Sequence, residues 1–295
     1  MTARLLDGRD LASHLRRELR HRVDRMVGPD GDLEPPCLAI LRDAASEPAA
    51  LYAASLERAA RSTGVATELI VSAEAPLDAT IERLNRDVRV AGIVIAQPFA
   101  DAAEGRRLVE LIDPAKDVDG ATPTNAGRLA RGEPAFVPAT ALAVIAMLEA
   151  HDVPVAGRRA VIVGRSAVVG RPVASLLLAR DATVVICHRS TRHLARETRR
   201  AELLIAAAGS PELIGPEMVN RSAVVVDCGI NAVPGGIVGD VAFATVAPVV
   251  RAITPVPGGI GPVTPMMVLR QTVESAERAS APGNSVAPAV SSVST

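Results

Sequence analysis

The sequence predicts an α/β protein built from two αβ domains, the second a doubly wound parallel sheet. Two observations carry this. Short apolar runs suited to buried strands alternate with segments of helical period along most of the chain, which implies parallel strands covered by helices. A loop from Lys116 to Pro138, with Gly and Pro throughout, divides the alternation into two series.

Taken in order, Leu5 to Gly8 reads as a short edge element, and Leu11, Leu15, Leu19, Val23 and Met26 mark a helix ending near Gly28. After a loop to Pro36 come a strand at Cys37–Leu41, a helix at Ala49–Thr63 stopped by Gly64, and a strand at Thr67–Val71. Leu77–Asp87 reads as a helix, Val90–Ala96 as a buried strand, and Gly105–Ile112 as a helix stopped by Asp113-Pro114. Ala139–Ala150 is a long apolar helix suited to carry the chain from one domain to the next. The second series has strands at Ala160–Val163, Ala182–Cys187, Leu203–Ala207, Ser222–Val226 and Val249–Ile253. A helix is expected directly after Gly164, a basic helix through Arg200, and a final helix at Val263–Ala279. Residues 280–295, rich in Ser, Ala, Pro and Val without periodicity, read as a disordered tail.

Composition narrows the function classes. A chain of 295 residues with 48% hydrophobic residues can bury a sizeable core. Its formal net charge of -1, with acids and bases interspersed, offers no nucleic-acid groove and no anionic-membrane surface, so small-molecule partners are expected. Cys37, Cys187 and Cys228 are scattered without Cys-x-x-Cys spacing, which argues against a disulfide framework or a zinc site and fits a reducing compartment. His14, His21, His151 and His193 form no ligand-like cluster, so no metal site is expected. No segment has the length of a membrane span and no signal-peptide core precedes the first helix, so the expected location is cytoplasmic.

The stretch Arg159 to Leu178 points to a ligand. A strand, a turn opening at Gly164 and a helix N-terminus bring backbone amides and the positive end of a helix dipole together, which suits a phosphate. Ser166 can cap the helix, Gly170 permits close packing, and Val169 starts its apolar face. The spacing Gly-x-Ser-x-x-x-Gly differs from the commoner dinucleotide fingerprint, and an ordinary αβ turn would also fit it. In dinucleotide-binding folds an acid at the end of the second strand selects NAD. Here that strand ends in His188-Arg189-Ser190-Thr191, and Arg165 lies in the glycine turn. Two guanidiniums and hydroxyl donors match a 2′-phosphate, so NADP is the expected cofactor.

Five segments then occur in a fixed order: Lys116-Asp117-Val118-Asp119-Gly120; Gly164-Arg165-Ser166 with Val169-Gly170-Arg171-Pro172; Asp227-Cys228-Gly229-Ile230-Asn231; Gly239-Asp240-Val241; and Thr254-Pro255-Val256-Pro257-Gly258-Gly259-Ile260-Gly261-Pro262-Val263-Thr264. Over about Leu5 to Ala276 the chain resembles the bifunctional methylenetetrahydrofolate dehydrogenase/methenyltetrahydrofolate cyclohydrolase family. The resemblance implies two αβ domains with a folate cleft between them. Residues 1–139 with 265–279 would form the catalytic, folate-binding domain, and 140–264 the Rossmann-like NADP domain. It also implies a homodimer and a one-carbon tetrahydrofolate substrate. Tyr52 and Asp119 match substrate-positioning residues of the family, and Pro257, Gly258 and Gly259 a substrate-binding loop. Gly164, Arg165, Ser166, Val169, Gly170, His188, Arg189, Ser190 and Ile230 would contact the cofactor.

Two positions depart from the family pattern. Where the family has a lysine four residues after the tyrosine, this chain has Leu56; where it has a glutamine, this chain has Ala96, with Gln97 next door. One step along a strand turns a side chain to the opposite face, so Gln97 could substitute only through a slipped register or a bulge. The sole lysine is Lys116, itself at a family position. Hydride transfer relies mainly on orientation of cofactor and folate, whereas hydrolysis needs a base to deprotonate water. The expected activity is therefore an NADP-dependent methylenetetrahydrofolate dehydrogenase with cyclohydrolase weak or lost. A paralogue turned to another substrate and a non-catalytic NADP-binding relative stand as alternatives.

Overall fold

The computed structural model describes residues 3–29, 31, 33–72 and 76–280. Of these, 3–12 with 140–264 form one compact unit, and 13–139 with 265–280 form the other.

The chain opens with β1 (Arg4–Leu5) and α1 (Gly8–Val27). The second unit is then built from β2 (Cys37–Arg42), α2 (Glu47–Thr63), β3 (Ala66–Val71), α3 (Leu77–Arg86), β4 (Val90–Ala96), α4 (Ala102–Glu110) and α5 (Pro123–Ala130). Its parallel sheet has the order β3-β2-β4. Strand β4 is buried at every position, as expected of a central apolar run covered on both faces. Ala39, Leu41, Ile93 and Ile95 pack with Ile81 of α3 and Leu108 of α4. Alternation leaves Leu38 and Ile40 for the opposite face, where α2 packs.

In the other unit, α6 (Ala139–Ala150) leads to β5 (Arg159–Val163), α7 (Gly170–Leu178), β6 (Thr183–Cys187), α8 (Leu194–Thr198), β7 (Leu203–Ala206) and β8 (Val224–Asp227). A hairpin of β9 (Asn231–Val233) and β10 (Gly236–Val238) follows, then α9 (Phe243–Val246), β11 (Ala252–Ile253) and α10 (Ile260–Ser280), whose residues from 265 on belong to the unit of 13–139. The sheet is parallel throughout, in the order β1-β11-β8-β7-β5-β6. From β5 the chain crosses to β6 on one side, then returns past β5 to β7 and on to β8. The connections after β5 and β7 therefore run in opposite directions, and the carboxyl ends of these two strands form a topological switch point, where ligands bind in such sheets.

The sequence reading needs several corrections. Strand β1 pairs with β11, so the first residues join the six-stranded unit rather than the unit made by 13–139. The loop 116–138 contains a helix, α5, because the Thr122 hydroxyl accepts from the Asn125 amide and Pro123 supplies a preformed first-turn residue. Helix α4 starts at Ala102 because Asp101 caps it. Helix α7 starts only at Gly170, six residues past Gly164, since the Ser166 side chain holds the intervening turn. The basic helix shrinks to Leu194–Thr198, and only Ala252–Ile253 of the last predicted strand pairs. The hairpin β9–β10 and helix α9 were not anticipated. The tail assigned to 280–295 lies, from 281 on, outside the described residues.

Candidate functional site

In the three-stranded unit the candidate residues come from α2 and the segment after α4. Ser46 caps α2 by accepting from the Ala49 amide at 3.3 Å, and Gly64 ends it at φ +81°. Ala49, Ala53, Leu56, Ala60 and Thr63 recur at helical spacing and form its buried stripe. Leu56 is 0% exposed, so position 56 is a core position filled by a packed hydrocarbon. Tyr52, one turn earlier on the same side, is half-buried. Burial, and then the negative charge of Asp119, push its phenol well above the ordinary value.

Of Lys116–Gly120, Asp119 is the member whose charge reaches Tyr52, and its neighbours are committed elsewhere. The Lys116 ammonium donates to the carbonyl oxygens of Leu84 at 2.9 Å and Asp87 at 2.7 Å, at the end of α3. The Asp117 carboxylate accepts from the Ala121 and Thr122 amides and the Asn125 side chain, 2.8 to 2.9 Å away, and holds the start of α5. The Val118 side chain fills the space beside Gly92, and the Val118 carbonyl accepts from the Gln271 side chain. Gly120 has φ +56° and packs against the backbone of Phe136 and Val137. Asp119 accepts only a 3.3 Å bond from the Ala139 amide. Burial lifts its carboxyl to about 7; the Ala139 bond opposes the rise and Asp117 adds to it. At neutral pH this group can both accept and donate a hydrogen bond.

Ala96 is fully buried, and Gln97 is exposed with its side-chain oxygen accepting from the Phe99 amide at 3.1 Å. The one register shift between β2 and β4 lies at Cys37/Leu38, at the other end of the pair. No slip restores a glutamine at position 96.

In the six-stranded unit the turn after β5 lies at the switch point. Gly164 has φ +132°, and a Cβ there would overlap the carbonyl oxygen of Ala207 after β7. A Cβ on Gly170 would overlap the Gly164 carbonyl, so helix and turn pack backbone to backbone. Ser166 Oγ accepts from the amides of Val169 at 3.1 Å and Gly170 at 3.3 Å, and the Ser166 carbonyl accepts from Arg171. The start of the helix is thus satisfied by Ser166, the capping residue the sequence suggests. Residues 165 to 168 are exposed, and their amides are unpaired among the described residues.

Across β5, His188 Nδ1 accepts from the Ser190 amide, and Thr191 Oγ1 accepts from the His188 amide at 2.9 Å, which fixes the turn after β6. Arg165 and Arg189 are exposed and make no ion pair or hydrogen bond among the described residues. Two unpaired guanidiniums on adjoining turns, with the Ser190 hydroxyl, fit the phosphate chemistry of NADP. Ile230 is 68% exposed at the carboxyl end of β8. In the Pro257-Gly258-Gly259 loop, the Gly258 carbonyl accepts from the Gly8 amide at 2.8 Å, and the Arg9 guanidinium sits where a Gly258 Cβ would project.

Tyr52, Leu56, Ala96, Gln97 and Asp119 thus belong to one unit and all the other predicted site residues to the other. Sequence reasoning missed Gly8, Arg9 and the 207–210 loop beside Gly164; the pair Ala208-Gly209 just after a strand was the available signal. Among the described residues no group of three or more His, Cys, Asp or Glu side chains could hold a metal, and no helix is long and apolar enough to cross a membrane.

Comparison with known proteins agrees with this geometry. Residues 6–119 match the model of the tetrahydrofolate dehydrogenase/cyclohydrolase catalytic domain, and residues 138–280 that of the family's NAD(P)-binding domain. The bifunctional protein FolD of a Parafrankia strain is 44% identical over 275 residues, covering 92% of this chain and 99% of that protein. The crystal structure of the bifunctional FolD dehydrogenase/cyclohydrolase from Campylobacter jejuni superposes with a TM-score of 0.86 at 38% identity, covering 92% of this chain and 98% of that one. The Trypanosoma brucei dehydrogenase-cyclohydrolase, solved with NADP and an inhibitor, superposes with a TM-score of 0.88 at 32% identity, covering 94% and 98%. The chain belongs to the tetrahydrofolate dehydrogenase/cyclohydrolase family.

Proposed function

We propose that the chain is an NADP-dependent methylenetetrahydrofolate dehydrogenase whose cyclohydrolase step is weak or lost. The observation that carries this reading is Leu56, wholly buried on the core stripe of α2 at the position where the family has its lysine. Bound NADP would supply the acceptor for the hydride that leaves the methylene carbon. Arg165, Arg189 and Ser190 would hold its 2′-phosphate, and the amides of Arg165 to Val168 its bridging phosphates. Asp119, with Tyr52 near it, would orient the folate ring system, which is the larger part of what the oxidation asks of a protein.

Hydrolysis of the methenyl carbon asks for more. Attacking water must lose a proton as the bond forms, and a hydrocarbon at position 56 cannot take it. The Gln97 side-chain oxygen is engaged by the Phe99 amide on its own loop, and the Lys116 ammonium is bound to two carbonyls at the end of α3. Loss of a general base costs about 10²- to 10⁴-fold in rate.

The test follows NADPH and methenyl absorbance together, with methylenetetrahydrofolate and NADP+ as substrates. NADPH formation with accumulating methenyl product is the expected result. Leu56→Lys should raise hydrolysis by about 10²-fold, the lower end of what a positioned base contributes. Methenyl hydrolysis by the unaltered protein well above the buffer rate would sink the reading. A second reading, divergence to another substrate, is favoured by the joint presence of buried Leu56 and Ala96, and would appear as NADP binding without NADPH formation from any one-carbon folate. The homodimer implied by the resemblance is tested by light scattering on the eluting protein.

A further inference from the structure

Two buried carboxylates, Asp227 at 3% and Asp240 at 0% exposure, have no part in the chemistry above, yet they tie three loops together. Asp240 Oδ2 accepts from the Gly209 amide at 2.9 Å and from the Ala208 amide at 2.5 Å. Its Oδ1 accepts from the Ser210 amide and from the Asn231 side chain, both at 2.9 Å. Asp227 Oδ1 in turn accepts from the amides of Gly229 at 2.8 Å and Asp240 at 3.0 Å, and Oδ2 from Val241 at 2.9 Å. The fit leaves no room for side chains: a Cβ on Gly229 would overlap Asp240, and one on Gly239 would overlap Asp227. The loop after β7, the turn after β8 and the turn after β10 are therefore one hydrogen-bonded assembly centred on Asp240.

Its position in the sheet says what it serves. The bridging phosphates of a dinucleotide belong at the turn after β5, and its adenosine ribose at the end of β6. Strand β5 lies between β6 and β7, so the remaining half of the dinucleotide must extend over β7 and β8. There it meets the Ala207–Ser210 loop, which Asp240 holds against Gly164, and the exposed Ile230, which lies between Gly229 and Asn231. We propose that Asp240 is a positioning residue for the nicotinamide half of the cofactor: it fixes the loop after β7 and the Ile230 turn without touching the adenosine half. This rests on the NADP reading given above.

The two halves can be probed separately. Fluorescence titration with NADPH reports the whole cofactor, whereas adenosine 2′,5′-bisphosphate reports only the adenosine half. Asp240→Asn replaces one acceptor oxygen by a donor that faces amides. Losing such bonds to a charged group should weaken NADPH binding by about tenfold or more. Affinity for the bisphosphate should stay within about twofold, since no Asp240 bond reaches the turns after β5 and β6. Asn231→Ala, which removes a single bond to Asp240, should act in the same direction with a smaller effect, and it carries the test if Asp240→Asn does not fold. Equal weakening of both ligands in a folded variant, or no change in either, overturns the proposal. If the unaltered protein binds neither ligand, the NADP reading fails and the proposal with it. If it binds both and the variant discriminates, both stand.

Discussion

The Lys116 ammonium donates to the Leu84 carbonyl oxygen at 2.9 Å, so the one lysine of the chain is spent on closing a helix. The second bond, to Asp87, satisfies another carbonyl in the same turn, where a positive charge also complements the helix dipole. Burial lowers the ammonium's affinity for its proton, and Asp113 and Asp87 work against that change. Lys116→Met should therefore destabilise the protein by about 1–3 kcal/mol through unpaired carbonyls, with Lys116→Arg recovering part of the loss. Urea unfolding measures this, and methenyl hydrolysis in Lys116→Met should equal that of the parent. A fall in hydrolysis without loss of stability would show the lysine acting on substrate.

Asp119 makes stability depend on pH in a direction unusual for a carboxylate. Its folded value of about 7 lies above the ordinary range, so between roughly pH 4 and 7 the folded state holds a proton that the unfolded state has released. The contribution is fully present below about pH 4 and is lost as pH rises through 7. Asp119→Asn removes the titration. The variant should be more stable than the parent at pH 8, by on the order of 2 kcal/mol, with the difference shrinking toward pH 4. Thermal unfolding across that window checks the sign. Asp227, also raised by burial to about 6, remains in both proteins and cancels in the comparison.

Why some of this was legible in sequence and some was not follows from particular residues. The buried strand Val90–Ala96 and the α2 stripe announce themselves because each satisfies a single periodicity, of two or 3.6 residues, over a local window. Helix α5 was hidden by the Gly and Pro of its surroundings, although Thr122-Pro123 is itself a start signal. The hairpin was hidden because its strands have three residues each, too short to show alternation. Asp240 could not be assigned from its neighbours at all: its partners lie 30 to 32 residues back, after β7, and nine residues back at Asn231, so its role exists only after folding. The same holds for Lys116, whose nitrogen caps a helix that lies 29 to 32 residues back.

Two glycines should respond oppositely to the same substitution. Gly164 sits at φ +132° with the Ala207 carbonyl where a Cβ would go, so Gly164→Ala forces either the loop after β7 or the turn itself to move. A loss of about 2 kcal/mol or more is expected, together with weaker NADPH binding. Gly127 lies inside α5 with nothing near its Cβ direction, so Gly127→Ala should stabilise by about 0.5–1 kcal/mol. Paired unfolding curves decide this, and a neutral Gly164→Ala would contradict the close approach of the two loops.

Arg189 offers the sharpest check on cofactor choice. It is exposed at the end of β6 with no acidic partner among the described residues, whereas much of the chain's arginine is tied up: Arg107 binds both Asp78 and Glu104, and Arg22 binds Glu277. A guanidinium left unpaired on a fixed turn adds binding energy only when a ligand brings the negative charge. Arg189→Ala should therefore weaken NADPH by about 10- to 100-fold, the range for charge-assisted hydrogen bonds, while NADH affinity stays within about twofold. Because the contact is exposed, added salt should narrow the difference between the two cofactors in the parent and leave the variant little changed. Equal weakening of NADPH and NADH would mean that the arginine serves the fold of the turn instead of the 2′-phosphate.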